Sequence, residues 1–336
     1  MSCSPEAISF TGRSEPSTLF RVVAYHALSH AIGCSAFIVE PAVSFMRILV
    51  FGASGMLGHK LIQQLSPHAE VWGTVRGPAE MLTRYGLFDA SRIVPNIDSG
   101  DATSIFSAIS ETKPDVVINA VGVVKQLPSA KDFIGTLSIN SLFPHRLAQL
   151  SAEFGFRLLT ISTDCVFDGV QGNYTESDKT NADDLYGKSK NLGEVTYGNA
   201  LTLRTSIIGR ELNTRHSLVE WFLSNEGGSV KGFTNAIYSG FPTLILADII
   251  KSLIFDHPEL TGLYHVSSEP INKYELLNLI KTYYEADIRI EPSGEFRIDR
   301  SLDSTRFREA TDFRPQSWEL MIEKMASDPT PYNKWR

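Results

Sequence analysis

The chain has 336 residues, of which 43% are hydrophobic and 21% charged, with a formal net charge of −7. That length suits one large α/β domain, or a large and a small domain sharing a cleft, and the composition is that of a folded globular protein. A mildly acidic surface without a Lys/Arg run argues against nucleic acid as the main partner. No uninterrupted apolar run reaches the ~18 residues of a membrane span. Cys3, Cys34 and Cys165 form neither a paired framework nor a zinc spacing, which points to a reducing, cytoplasmic setting. Metal binding has no support in the histidine spacing either, apart from His26 and His30 near the start.

Residues 1–45 stand apart from the rest. They begin Ser-, Pro- and Gly-rich and lack periodicity, so Met46 is expected to be the natural start, or 1–45 a poorly ordered extension. A targeting peptide is the competing reading; no basic segment at the start and no clear cleavage site supports it. From residue 47 strands alternate with helices. Strands are predicted at 48–51, 70–75, 93–97, 116–118, 157–162 and 201–204. Helices are predicted at 57–65, 102–110 (capped by Asp101), 140–154 and 186–197. Apolar strands alternating with helices indicate a doubly wound parallel sheet covered on both faces, a Rossmann-type α/β fold. Past about residue 210 the rhythm changes. Helices are predicted at 247–255 and 273–284, within a smaller lobe (211–336) that closes over the carboxyl ends of the strands and returns some segments to the nucleotide-binding domain (46–210).

Gly52-Ala53-Ser54-Gly55-Met56-Leu57-Gly58 follows the first strand and opens a helix. The first glycine permits a tight turn, the second a close backbone approach to a pyrophosphate, and the third close packing of helix on strand. The helix start then offers N–H donors and partial positive charge to an anion. The second strand ends Thr74-Val75-Arg76, with no acidic residue to bond a ribose 2′-hydroxyl. Arg76 suits a 2′-phosphate, so NADP(H) is expected ahead of NAD(H). Asp98, past the third strand, is placed to meet the adenine. Ala120-Val121-Gly122, past the fourth, leaves room for the cofactor along the sheet edge.

Tyr186-Gly187-Lys188-Ser189-Lys190 puts a phenol and an ammonium on one helical face. Ketone reduction needs a proton donor at the carbonyl oxygen opposite a hydride donor. A free phenol titrates near 10, and a neighbouring Lys⁺ together with a nicotinium ring is expected to lower it. The Tyr/Lys spacing alone is common. It gains meaning from Ser162-Thr163 at the end of the fifth strand, which falls at the same sheet edge. Thr163 is the expected hydroxyl at the substrate oxygen; alternation along the strand turns Ser162 inward. Cys165, with no histidine near it in sequence, reads as a structural thiol.

These residues resemble the extended short-chain dehydrogenase/reductase family, and within it the branch containing the dTDP-4-dehydrorhamnose reductases. The carrying motifs are GASGMLG at 52–58, STDCVFDG at 162–169, YGKSK at 186–190 with Gly193-Glu194 after it, Leu203-Arg204-Thr205-Ser206, and Gly240-Phe241-Pro242-Thr243. The resemblance covers about residues 46–315 and is loose beyond 210. It implies NAD(P)H-dependent reduction of a nucleotide-activated 4-keto-6-deoxy sugar for cell-surface polysaccharide. Thr163, Tyr186 and Lys190 would then be the catalytic group, with Tyr186 as proton donor. Cys165 stands where the family motif usually has Tyr, which leaves the nucleotide and the sugar open. Lys125, Asp164, Asn235 and Arg300 are candidate substrate contacts; Lys125 reads equally well as a solvent-facing residue, and Arg300 as a diphosphate partner. A homodimer is allowed. The alternatives are a nucleotide-sugar epimerase of the same fold and a non-catalytic NADP-binding regulatory subunit.

Overall fold

The computed structural model describes residues 45–124 and 131–335; the expectations that fall on residues 1–44 and on Lys125 lie outside the described residues. Seven strands form one parallel sheet: β1 (Arg47–Phe51), β2 (Glu70–Thr74), β3 (Ile93–Val94), β4 (Val116–Asn119), β5 (Arg157–Thr163), β6 (Ala200–Thr205) and β10 (Gly262–His265). Their order is β10-β6-β5-β4-β1-β2-β3. Every ladder is parallel, with β1 paired to β2 at Ile48/Val71 and to β4 at Ile48/Val116. The chain winds outward in both directions from β1. The crevice for a nucleotide therefore opens between the carboxyl ends of β1 and β4.

Alternation explains why β1 is apolar from Ile48 to Phe51. Ile48 and Val50 enter one hydrophobic cluster, with Leu61 and Leu65 of α1 (Gly58–Leu65) and Ile245 and Ile249 of α8 (Thr243–Phe255). Leu49 and Phe51 enter the other, with Ile105 and Ile109 of α3 (Ala102–Thr112) and Phe143 and Leu147 of α5 (Phe143–Phe154). Both faces are covered at β1, so its apolar residues are buried on either side. As expected, Asp101 caps α3, its carboxylate accepting from Thr103 N at 3.0 Å and Ser104 N at 3.2 Å.

Three predicted boundaries differ. The third strand ends at Val94, because Asn96 adopts a left-handed φ of 59° beside Pro95. The helix expected at 140–154 starts earlier, as α4 (Phe133–Leu137) running through a π-helical turn (Ser138–Leu142) into α5. The helix carrying the Tyr/Lys pair, α6 (Leu185–Leu192), stops before Gly193. Beyond residue 210 a separate three-stranded sheet forms. Its centre is β8 (Ser229–Tyr238), flanked by β11 (Ile271–Asn272) and β12 (Arg289–Asp299). Most of β12 is exposed, so it carries no apolar alternation to predict it from.

The C-terminal segment fastens back onto α1. His59 Nδ1 donates to Gly55 O at 2.8 Å, and its Nε2 accepts from the Tyr332 hydroxyl at 2.7 Å. Lys60 pairs with Asp328 and donates to Thr330 Oγ1 at 2.8 Å. The helix behind the glycine loop is thus held from the far end of the chain.

Candidate active site

The glycine loop is shaped by close approach. Gly52 has a φ of 86°, which a side chain resists. A Cβ on Gly58 would lie 2.0 Å from Gly52 O, so α1 can start against the loop only with glycine there. Gly55 N donates back to Gly52 O at 2.9 Å, and Ala53 N to Thr74 O at 3.1 Å, which ties the loop to β2. Leu57 points into the core, whereas Gly55 is exposed and Ser54 and Met56 half-buried at the crest. On the far side of the crevice, a Cβ at Gly52 would meet Ala120 O at 3.1 Å and a methyl of Val121 at 3.0 Å. Asn119 Oδ1 accepts from Val121 N at 3.1 Å and fixes that turn. Gly122 is exposed and has room for a Cβ, at an ordinary 3.6 Å from Asn140 Oδ1.

Arg76, two residues past β2, is exposed and makes no hydrogen bond or ion pair among the described residues. A free guanidinium at this edge fits a phosphate. Asp98 is exposed past β3, with one carboxylate oxygen accepting from Gly100 N at 2.8 Å in a local turn.

The structure brings Thr163, Tyr186 and Lys190 together. Thr163 ends β5, and its hydroxyl accepts from Cys165 N at 3.1 Å and donates to Asp164 Oδ1 at 3.1 Å. Asp184 caps α6 through Gly187 N at 2.8 Å, and the first turn then carries the Tyr186 phenol to the Thr163 hydroxyl. One turn on, Lys190 Nζ donates to Ile161 O of β5 at 2.6 Å. Close packing sets this geometry: a Cβ on Gly187 would lie 2.1 Å from Cys165 O.

Burial dominates the electrostatics at Tyr186. Burial, with Cys165, Asp164 and Asp184 nearby, pushes its phenol up; the Thr163 hydrogen bond opposes this. The lysine does not lower it in the protein alone. Lys190 itself is pulled down to about 8 by burial, against which Glu194 acts. Burial also raises Asp164, despite Arg300 and its bonds to Thr163 and Cys165.

The other candidates separate. Asp164 is buried beside Thr163, its Oδ1 accepting from the Thr163 hydroxyl. Arg300 reaches the same turn, but its donors go to Phe167 O at 2.8 Å, Cys165 Sγ at 3.6 Å and Asp168 O at 3.4 Å. It braces the turn after β5. Asn235 sits exposed on β8, and its amide faces Gly294 O of the β12 strand at 3.4 Å rather than the catalytic group.

Two further residues bear on the site. Asn140, buried in the π-helical turn, accepts from Val123 N at 2.9 Å and donates to Val123 O and Ser189 Oγ, both at 3.1 Å. It joins the segment after β4 to α6; in sequence it stands among Ser138, Ile139 and Ser141, with nothing to single it out. Tyr238 projects from β8 to lie beside Asp164, whose charge adds to burial in raising its phenol. Nothing in its local sequence announces this. Gly240 makes the room, since a Cβ there would lie 2.4 Å from the Tyr238 hydroxyl.

The family model for the RmlD substrate binding domain matches residues 46–330. The chain belongs to the RmlD substrate binding domain family. Among its relatives, the dTDP-4-dehydrorhamnose reductase of Aggregatibacter actinomycetemcomitans is 24% identical over 309 residues, covering 83% of this chain and 98% of that one. The methionine adenosyltransferase 2 subunit beta of Pongo abelii is 29% identical over 264 residues, covering 74% of this chain and 75% of that one. The solved structure of dTDP-4-dehydrorhamnose reductase from Bacillus anthracis, in complex with NADP, superposes with a TM-score of 0.69 at 22% identity, covering 84% of this chain and 98% of that one.

Proposed function

We propose that this protein reduces the 4-keto group of a nucleotide-activated 6-deoxy sugar with NADPH, as a dTDP-4-dehydrorhamnose reductase-like enzyme supplying cell-surface polysaccharide precursors. The observation that carries this is the Tyr186 phenol on the Thr163 hydroxyl, with Lys190 one turn behind, at the same sheet edge as the glycine loop. The residues fit the cofactor. The loop from Gly52 to Gly58 has no side chain where a Cβ would fill the cradle, and Arg76 is free to take a 2′-phosphate, with NAD(H) a weaker ligand. NADPH held by the Gly52–Gly58 loop and Arg76 would supply the hydride. Tyr186 donates its proton to the carbonyl oxygen. Thr163 donates a hydrogen bond to the same oxygen as charge develops there. The Lys190 ammonium offsets the phenolate left on Tyr186.

Segments beyond 210, Tyr238 among them, form the substrate side, and Asp164 and Arg300 shape the pocket around the sugar. A cytoplasmic setting is part of this reading, on the cysteine usage. A homodimer would bury the exposed apolar side chains of Phe133, Ile134, Leu142 and Leu192 on neighbouring α4, π-turn and α6. A second reading, a non-catalytic NADP-binding subunit, draws on the likeness to the methionine adenosyltransferase subunit. A complete Thr163, Tyr186 and Lys190 set weighs against it.

The test is NADPH oxidation with a panel of dTDP- and UDP-linked 4-keto-6-deoxy sugars. The expected result is turnover of at least one, with Tyr186→Phe keeping NADPH binding and losing ~10²–10⁴-fold in kcat, the usual worth of a general acid. Undiminished turnover in Tyr186→Phe would overturn the assignment.

A further inference from the structure

Gly193-Glu194 and Leu203-Arg204-Thr205-Ser206 recur in the motifs above without a role. The structure joins them. Glu194 follows α6, and its Oε1 accepts from Arg204 Nε at 2.7 Å while its Oε2 accepts from Arg204 Nη2 at 2.7 Å. Both side chains are 6% exposed, so this two-pronged pair is withdrawn from water. Gly193 lets it form, since a Cβ there would lie 1.9 Å from Asn140 O. The same Oε1 also accepts from Ser162 Oγ at 2.6 Å, one residue before Thr163. Ser162 thus faces away from the reacting edge, into this pair.

The pair is closed from behind. Arg204 Nη1 lies 3.2 Å from His265 Nε2, and His265 Nδ1 lies 2.9 Å from Tyr174 O. A neutral imidazole that donates from Nδ1 to the carbonyl accepts at Nε2 from the guanidinium, and burial lowers this histidine's affinity for a second proton. The Phe167 ring lies 5.3 Å from the Arg204 guanidinium.

We propose that Glu194 is a positioning residue for the catalytic group: it ties the Ser162–Thr163 end of β5 to the end of α6 and sets a buried carboxylate four residues past Lys190. This rests on the role given to Lys190 above. Ionisable groups on the neighbouring elements are Tyr186 of α6, Asp164 after β5, Arg204 of β6 and His265 of β10. Of these and Glu194, it is Glu194 whose charge acts on Lys190, against burial.

The test is a pH titration of Lys190 by NMR in the full chain, labelled at lysine Cε, with the resonance assigned from Lys190→Met. In Glu194→Gln the midpoint is expected to fall by ~1 unit, as when a neighbouring opposite charge is removed. From a start near 8, that lowers the charged fraction, and kcat, about fivefold at pH 8. Glu194→Asp, which keeps the charge, should hold the midpoint near the wild-type value. If Glu194→Gln does not fold, Glu194→Gln/Arg204→Met, which leaves no unpaired buried charge, is expected to lower the midpoint too. An unchanged Lys190 midpoint in whichever of these folds, or an equal fall in Glu194→Asp, overturns the proposal. The titration needs no substrate, so a wild-type protein that reduces no nucleotide sugar counts against the proposed function and leaves this result standing.

Discussion

Gly187→Ala should disable the enzyme without touching a reacting atom. Gly187 lies between Tyr186 and the rest of α6, and its Cβ would stand 2.1 Å from Cys165 O and 2.5 Å from the Ala182 methyl. Ordinary carbon–oxygen and carbon–carbon contacts are about 3.3–4.0 Å. The first turn of α6 must therefore move by roughly 1 Å from the turn that follows Thr163, and the Cys165 carbonyl is backbone and cannot swing aside. Two effects compete. Alanine in place of a helical glycine gains up to about 1 kcal/mol, while overpacking costs about 1–3 kcal/mol, so net stability falls modestly. Catalysis suffers more, because a displacement of about 1 Å in a catalytic group can cost ~10²-fold. The expected outcome is kcat down by about that factor, a Tm lower by a few degrees and NADPH affinity close to wild type, since the glycine loop lies on the other side of the crevice. Gly294→Ala is the control; its Cβ meets nothing nearer than 3.5 Å. NADPH oxidation and thermal unfolding measured on the same samples give the answer. A Gly187→Ala enzyme with wild-type kcat would refute the claim that packing at this glycine sets the Tyr186–Thr163 contact.

Arg76→Ala should weaken NADPH by about 1.5–3 kcal/mol, the worth of hydrogen bonds to a charged group, and leave NADH nearly unchanged. The NADPH-to-NADH ratio of kcat/KM reads this directly, and an unaltered ratio would remove Arg76 from the cofactor site. Acid should loosen the tie between the C-terminal segment and the glycine loop. Burial lowers His59 to about 4, below its ordinary 6.5, so between those values the unfolded chain binds the proton that the folded one refuses. Stability therefore rises with pH across that window, and about 3 kcal/mol is lost on going from pH 7 to pH 4. Denaturant midpoints over this range should show a shallower slope in His59→Asn, whose amide can still donate to Gly55 O; an identical slope would place the acid sensitivity elsewhere.

Local chemistry was enough to determine the cofactor half. Ile48–Phe51 is apolar at every position because both sheet faces are covered, and Gly52, Gly55 and Gly58 carry a turn whose need for missing side chains is written in the residues themselves. The i, i+4 spacing of Tyr186 and Lys190, and the placement of Thr163 at a strand end, were legible for the same reason: helix and strand periods convert spacing into direction. The charge on Tyr186 was not legible. Its shift depends on burial and on Asp164 and Cys165, which only packing brings near. Nor could β12 be read, since its exposed residues carry no pattern until β8 gives them a partner. Arg300 could be placed near the cleft by resemblance, yet only the fold decides that its guanidinium spends its donors on the turn after β5. Glu194 and Arg204 stand ten residues apart on different elements, and Tyr332 reaches His59 across 273 residues. Contacts of that kind have no period along the chain, so it took the tertiary structure to decide them.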